Sequence, residues 1–442
     1  MRVCLIVFST LWLVTGALAQ SAGSNQQISP ADVQALVNRI DQLERRVAEL
    51  EAKQGTSPVA TSTQNAAAQS QAPSPTAPAG TAPEAGQNVQ QKVSPTSTMD
   101  EMAGMHTVLG QEGESYPNLK MRGFADVDVG ANNARGVNSG FQLGQFVLHF
   151  ASALSPKISY FAEVSLTATT GVYNVDLERT IIRYDINDAA KISFGRYHTP
   201  INYWNTAFHH GAWLQTTIQR PDMIVFGSRF IPVHFIGAQS EGNIPSGGLG
   251  MGYNVGLGNG RSSNIARGGD SGDVNNNRAW LGNLYVRPPA LKHFQLGGSI
   301  YHDEISLTGT ALPNGQSFRE WISSGHLIWT GETPEVYAEF ANVHHRSIFT
   351  GRTFDNQGGY VQLAYRLPFD AKKWKPYYRY DYLQVPAGEP ALPDFVNVRK
   401  STVGIRYDIS DFAAFKAEYR HGRGNPLPQT SDAVAVQTAF TF

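Results

Sequence analysis

The chain has 442 residues, of which 41% are hydrophobic, 11% aromatic and only 16% charged, with 43 glycines. Soluble domains carry about 25% charge, so glycine, aromatic and neutral polar residues stand here where charge is usual. A formal net charge of −1 excludes a global basic field for holding nucleic acid. A single cysteine, Cys4, excludes a disulfide framework, a thiolate zinc site or an iron–sulfur cluster.

Residues 1–19 read as a secretory signal: Arg2 supplies the positive start, Leu5 to Leu13 the apolar core, and Ala17-Leu18-Ala19 the small-x-small cleavage site. Residues 29–53 carry a heptad pattern, with Val33, Ile40 and Val47 at a and Leu36, Leu43 and Leu50 at d. Ser29-Pro30 starts this helix and Gly55 stops it. β-Branched a with Leu at d favours two strands. However, Arg39 to Glu44 and Arg46 to Glu51 resemble the Arg-h-x-x-h-Glu pattern of short trimeric coils, and a homotrimer is expected on that resemblance. Residues 54–119 are a linker and transition. Up to 99 they are rich in Ala, Pro, Gln, Ser and Thr, with too little apolar content to fold.

From 120 to 442 the pattern changes to segments of alternating apolar and polar residues, and a period of two predicts strands. In Lys157 to Leu166, for example, Ile158, Tyr160, Ala162, Val164 and Leu166 share one face. A soluble sandwich would alternate in the same way, but three features favour a transmembrane barrel. Sixteen candidate strands centre near 125, 147, 162, 180, 194, 235, 253, 282, 299, 323, 339, 362, 379, 403, 416 and 438. Their links alternate between short turns (154–157, 187–188, 287–290, 331–334 and 410–411, with 240–247 and 368–374 less tight) and mostly longer loops (131–140, 199–229, 259–276, 308–317, 346–357, 385–396, 421–431). Finally, Val434, Val436, Thr438, Phe440 and Phe442 alternate to a terminal aromatic, which resembles the C-terminal signature of outer-membrane barrels. The expected fold is an all-β, closed antiparallel barrel of about sixteen strands. One face meets outer-membrane lipid, and the coil reaches into the periplasm.

Sixteen strands leave a wet lumen. The longest link, 199–229, follows the fifth strand and is the third external loop, which general porins fold inward. Its constriction candidates are Tyr203, Trp204, His209, His210, Trp213, Arg220, Asp222 and Arg229, with Gln215 among them. A loop facing outward onto neighbours is the alternative. Parity places Arg366, Lys375, Arg379, Lys400, Arg406, Lys416 and Arg420 on the inner face as a basic stripe. Residues 120–442 hold 29 Lys plus Arg against 26 Asp plus Glu, so a weak anion preference is expected. Cations that merely pair across strands are the alternative.

Signal, short coil, Pro/Ala tether and sixteen-strand barrel together resemble the DcaP-type trimeric porins. Ile192-Ser-Phe-Gly195-Arg-Tyr-His-Thr-Pro200 is similar to the Gly-x-x-x-x-Pro region of the phosphate-selective porin O/P family. That resemblance implies a homotrimer passing phosphate or small organic anions. Loop 199–229 departs from the family in having no lysine.

Catalytic patterns are absent: the sequence has no Gly-x-Ser-x-Gly, no His-Glu-x-x-His and no phosphate-cradling Gly-Lys-Ser/Thr. No cofactor is expected. No metal is expected either, because His209-His210 and His344-His345 are adjacent pairs, and strand neighbours point to opposite faces. The expected function is non-enzymatic: a water-filled channel for small hydrophilic solutes. A barrel-anchored envelope tether or outer-membrane enzyme is the competing reading.

Overall fold

In the computed structural model the described residues are Arg45 and 116–442, apart from 170, 209, 226–229, 262–264, 266–271, 274, 307–316, 393–394 and 425–426. The signal, the heptad positions Val33 to Leu50 and the tether lie outside the described residues.

The described chain is a run of antiparallel strands. They are β1 (Asn118–Asn132), β2 (Gly140–Ala153), β3 (Ile158–Thr169), β4 (Val172–Asn187), β5 (Ala190–His198), β6 (His234–Ile244), β7 (Met251–Asn259) and β8 (Ala279–Val286), then β9 (Phe294–Ser306), β10 (Ser317–Trp329), β11 (Glu335–Ser347), β12 (Thr353–Ala364), β13 (Trp374–Gln384), β14 (Val398–Ser410), β15 (Ala413–Gly424) and β16 (Leu427–Thr441). Each strand pairs with its sequence neighbours, and β1 pairs β16, so the sheet closes into a sixteen-strand barrel. All sixteen sequence-derived centres fall inside these strands. Closure leaves no row of unpaired backbone groups. The terminal residue takes part in the seam: Gly123 N–H donates to the Phe442 carbonyl at 2.8 Å and Phe442 N–H to the Gly123 carbonyl at 3.0 Å.

Alternation sets the two faces. In β13, Lys375, Tyr377, Arg379 and Asp381 are buried inside while Trp374, Tyr378 and Tyr380 are exposed outside. The outer surface is a band of apolar side chains, Val175, Phe194, Leu257, Val361 and Val403 among them. Tyr184, Tyr365, Tyr378 and Tyr419 stand on that face, each 41–47% exposed, where aromatic girdles belong.

Two links differ from expectation. The stretch 421–431 is mostly strand: β15 runs to Gly424 and β16 begins at Leu427. Alternation persists there as Thr430, Asp432 and Val434, but polar residues at a strand tip read like a loop. The link 346–357 shortens to 348–352, because Thr353 to Gln357 already pair with β11. Conversely, the glycine-rich run after Gly248 is strand β7, as its Met251, Tyr253, Val255 and Leu257 spacing predicts.

Gly195, Gly237 and Gly258 lie side by side across β5, β6 and β7. A Cβ on Gly237 would sit 2.2 Å from the Leu257 carbonyl oxygen, and one on Gly258 2.0 Å from that of Ile236. Neighbouring backbones therefore approach more closely here than a side chain allows. Gly237→Val is expected to abolish the compact, heat-modifiable band of the folded barrel on cold SDS gels. Gly248→Val, at a turn with nothing within 4 Å of its Cβ position, leaves that band unchanged.

Candidate functional site

The link from β5 to β6, residues 199–233, packs against the inner wall. It carries one helical turn at Trp204–Ala207 and two tight turns at Ala212–Leu214 and Asp222–Ile224. Its apolar side chains, including Tyr203, Trp204, Phe208, Met223 and Ile224, form one buried cluster with Tyr301 of β9, Tyr337 of β11, Tyr360 of β12 and Leu383 of β13. Tyr203 and Phe208 each contact the Tyr337 ring, at centroid distances of 6.2 and 5.5 Å. Burial of such side chains contributes roughly 1.5–3 kcal/mol each.

A loop with so little regular secondary structure cannot satisfy its own backbone, and a buried unpaired amide or carbonyl costs about 1–3 kcal/mol. The wall supplies the partners. Glu339 Oε1 accepts from the N–H groups of Tyr203 and Trp204 at 3.0 and 2.6 Å. Glu418 Oε2 accepts from Ile218 N–H at 2.9 Å, and Asp381 Oδ1 from Asp222 N–H at 3.1 Å. Thr216 donates to Glu335 at 2.8 Å.

The carbonyls of the loop face the basic stripe. Arg379, fully buried, donates to Thr217 Oγ1 at 2.9 Å and to the carbonyls of Gln219 at 2.6 Å and Arg220 at 3.0 Å. Arg406 donates to the Trp213 and Gln215 carbonyls at 2.7 and 2.8 Å. Lys416 donates to those of Ala212 and Thr217 at 2.6 and 3.1 Å. Lys400 and Arg420 share the Gln219 side-chain oxygen at 3.2 and 2.8 Å. Five of the seven stripe residues, Arg379, Lys400, Arg406, Lys416 and Arg420, thus anchor the loop.

Much of its charge is balanced locally as well. Lys375 pairs with Glu335, Arg379 with Asp381 at 2.9 Å, Lys400 with Asp222, Arg406 with Asp408 at 2.7 Å and Arg420 with Glu418 at 3.2 Å. Arg366, at the turn after β12, joins Glu332 at 3.1 Å and Asp408. Burial pushes the Asp222 carboxyl up from its ordinary value, against the pull of Lys400.

Of the loop candidates, Tyr203, Trp204, His210, Arg220 and Asp222 are buried and Trp213 is half-buried. The Arg220 guanidinium lies 5.4 Å from the Trp204 ring centroid, and those of Arg122 and Arg406 lie 5.7 and 5.8 Å from the Trp213 ring. His209 and Arg229 are outside the described residues. His344 and His345 point to opposite faces: the first meets Asp355 outside at 2.9 Å, the second Glu320 and Glu389 inside at 2.8 and 3.2 Å. Reasoning from sequence missed Glu178, His198 and His234, which converge with His210. Their separations along the chain form no compact motif.

No protein-family model and no curated protein matches the sequence. Solved structures do. The chain is similar to an anion-selective porin from Comamonas acidovorans, at 9% identity over 74% of this chain and 100% of that one, with a TM-score of 0.53. The outer membrane channel DcaP of Acinetobacter baumannii matches at 11% identity over 75% of this chain and 99% of that one, with a TM-score of 0.51. OmpT of Vibrio cholerae in its trimer form matches at 11% identity over 74% and 100%, with a TM-score of 0.50. These likenesses establish a porin-type sixteen-strand barrel, the fold of outer-membrane proteins.

Arg379→Met removes a forked donor from three loop acceptors and leaves Asp381 uncompensated, a change worth roughly 3–5 kcal/mol. Limited proteolysis of the detergent-solubilised protein should then cut within 212–224, where the parent resists, and Trp emission should shift to the red. Arg379→Lys keeps the charge but loses the fork, and should lie between the two.

Proposed function

We propose that the chain is an outer-membrane porin, a water-filled passage for small hydrophilic solutes, with the third loop as its constriction. The observation that carries this reading is the 199–233 loop, held inside a closed sixteen-strand barrel by donors and acceptors from β9, β11, β13, β14 and β15. A barrel serving only as a membrane anchor gains nothing from ordering a loop of this length across its interior, at roughly 1–2 kcal/mol per residue of backbone entropy. A gate or filter does.

The likenesses agree with that reading: one relative is described as an anion-selective porin and another as an outer membrane channel. A homotrimer is supported by the trimer form of the Vibrio cholerae protein and by the Arg-h-x-x-h-Glu pattern of residues 39–51. Residues 29–53 would then be a periplasmic coil joined to the barrel by the segment between it and β1, which begins at Asn118.

Selectivity is weak in this account. The seven stripe cations are spent largely on the loop and on neighbouring carboxylates, so a dense field for phosphate is not available. What remains is the small excess of 29 cationic over 26 acidic residues across 120–442 and the polar niche lined by Lys400, Arg420, Asp222, Gln219 and Asn132, where two cations outnumber one carboxylate. Wall charges of this kind bias permeation rather than bind a solute.

Reconstituted into planar bilayers, the full chain should give stepwise conductances, and deleting 205–224 should enlarge each step. In a KCl gradient the reversal potential should lie slightly toward the chloride side, and Arg420→Ser should move it toward zero. Silence from a correctly folded barrel contradicts the channel and favours the tether or enzyme reading. A reversal potential on the potassium side contradicts the anion bias alone.

A further inference from the structure

On the wall where the loop enters the barrel, Glu178 of β4, His198 of β5, His210 of the loop and His234 of β6 bring one ligand atom each to within 4.8 Å of one another, and all four are buried. We propose that these residues form a binding site for a first-row divalent transition-metal ion, zinc above all, which clips the loop to the wall. Three imidazoles and one carboxylate are a donor set that suits a four-coordinate, tetrahedral ion.

The geometry is close to what coordination needs. A tetrahedral ion with ligands at about 2.0–2.1 Å sets neighbouring donors about 3.3 Å apart. Glu178 Oε2 is 3.2 Å from His210 Nε2 and 2.8 Å from His234 Nε2. The ring centroid of His198 lies 5.6 Å from that of His210 and 5.5 Å from that of His234. His198 and His234 are direct cross-strand partners, which fixes two of the imidazoles on the rigid sheet.

A second, independent observation is that partners outside the cluster orient its ligands, as metal sites require. Ser165 Oγ donates to Glu178 Oε1 at 2.7 Å, leaving Oε2 turned to the histidines. The Nδ1 of His210 lies 3.1 Å from Gln145 Oε1 while its Nε2 faces Glu178. Glu163 stands 3.5 Å from His198 Nε2 and holds Arg179 and, at 3.1 Å, His149. Glu178 reaches the inner face through a β-bulge: Glu163 pairs with Arg179 and Val164 with Leu177, so Glu178 is the extra residue. Without the bulge, Glu178 and Arg179 would point to opposite faces. Both are buried, at 4% exposure each.

The ligands span three strands and the loop. Metal bound here would tie His210, and with it the start of the constriction, to β4, β5 and β6. The site stands on wall geometry, so it does not depend on whether the pore conducts.

The test uses the full-length, tag-free protein refolded after chelator treatment. Titration with cobalt(II) should give one equivalent per chain, with the intense visible ligand-field bands of a tetrahedral ion, and zinc(II) should abolish those bands by displacement. Glu178→Gln and His234→Gln should each lose the bands or weaken binding at least about 100-fold, the upper range for losing a ligand's support. His344→Gln and His421→Gln, at exposed histidines elsewhere, should leave them unchanged. Heat-modifiable gel mobility checks that each variant is folded; should Glu178→Gln fail, Ser165→Ala, which removes only the orienting hydroxyl, is expected to weaken cobalt binding. Absence of stoichiometric cobalt binding by the folded parent would overturn the proposal and leave the cluster as a hydrogen-bonded ion-pair network. Bands that persist unchanged in the cluster variants would overturn it as well.

Discussion

Backbone polar groups removed from water must find partners, and this requirement shapes the molecule twice. It first closes the sheet, because a strand edge in hydrocarbon has nothing to bond to. It then acts inside, where a loop folded across the lumen presents amides and carbonyls far from its own strands. Carboxylates of β11, β13 and β15 take the amides, and cations of β13, β14 and β15 take the carbonyls. Acidic and basic wall residues thus do structural work that neither composition nor net charge discloses. Pairing the wall charges also offsets much of their desolvation cost, which is severe for an isolated buried ion.

On the proposed reading as a channel, this double use entangles selectivity with architecture. A cation that donates two or three hydrogen bonds to a fixed loop has little left for a passing anion. The stripe Arg366 to Arg420 would read as an anion ladder if the loop were absent; with it in place, Arg379, Lys400, Arg406, Lys416 and Arg420 hold the loop against the wall.

Much of the fold was legible because the signal is repeated sixteen times: alternation, short turn, alternation, long loop. The inner and outer phases of β13 and β14 followed directly from parity. The parts that were not legible break the period. The bulge at Glu178 puts two successive residues on one face, so parity assigns one of them wrongly. The tips of β15 and β16 carry polar residues although they are paired. In the loop, Tyr203 and Trp204 are constriction candidates from the sequence; both are buried, and their backbone amides donate to Glu339 of β11. Yet nothing in the spacing of His198, His210 and His234 announces a cluster, because barrel curvature and loop re-entry bring them together. Weighing histidines only as adjacent pairs overlooked convergence from separate segments.

The central claim is that the third loop is fixed inside the lumen by wall carboxylates and cations. Residue-resolved hydrogen exchange on the detergent-solubilised barrel tests it most directly. The amides of Tyr203, Trp204, Ile218 and Asp222, which donate to Glu339, Glu418 and Asp381, should exchange as slowly as amides in the middle of the wall. Exchange at the rate of an open, solvated loop would contradict the account.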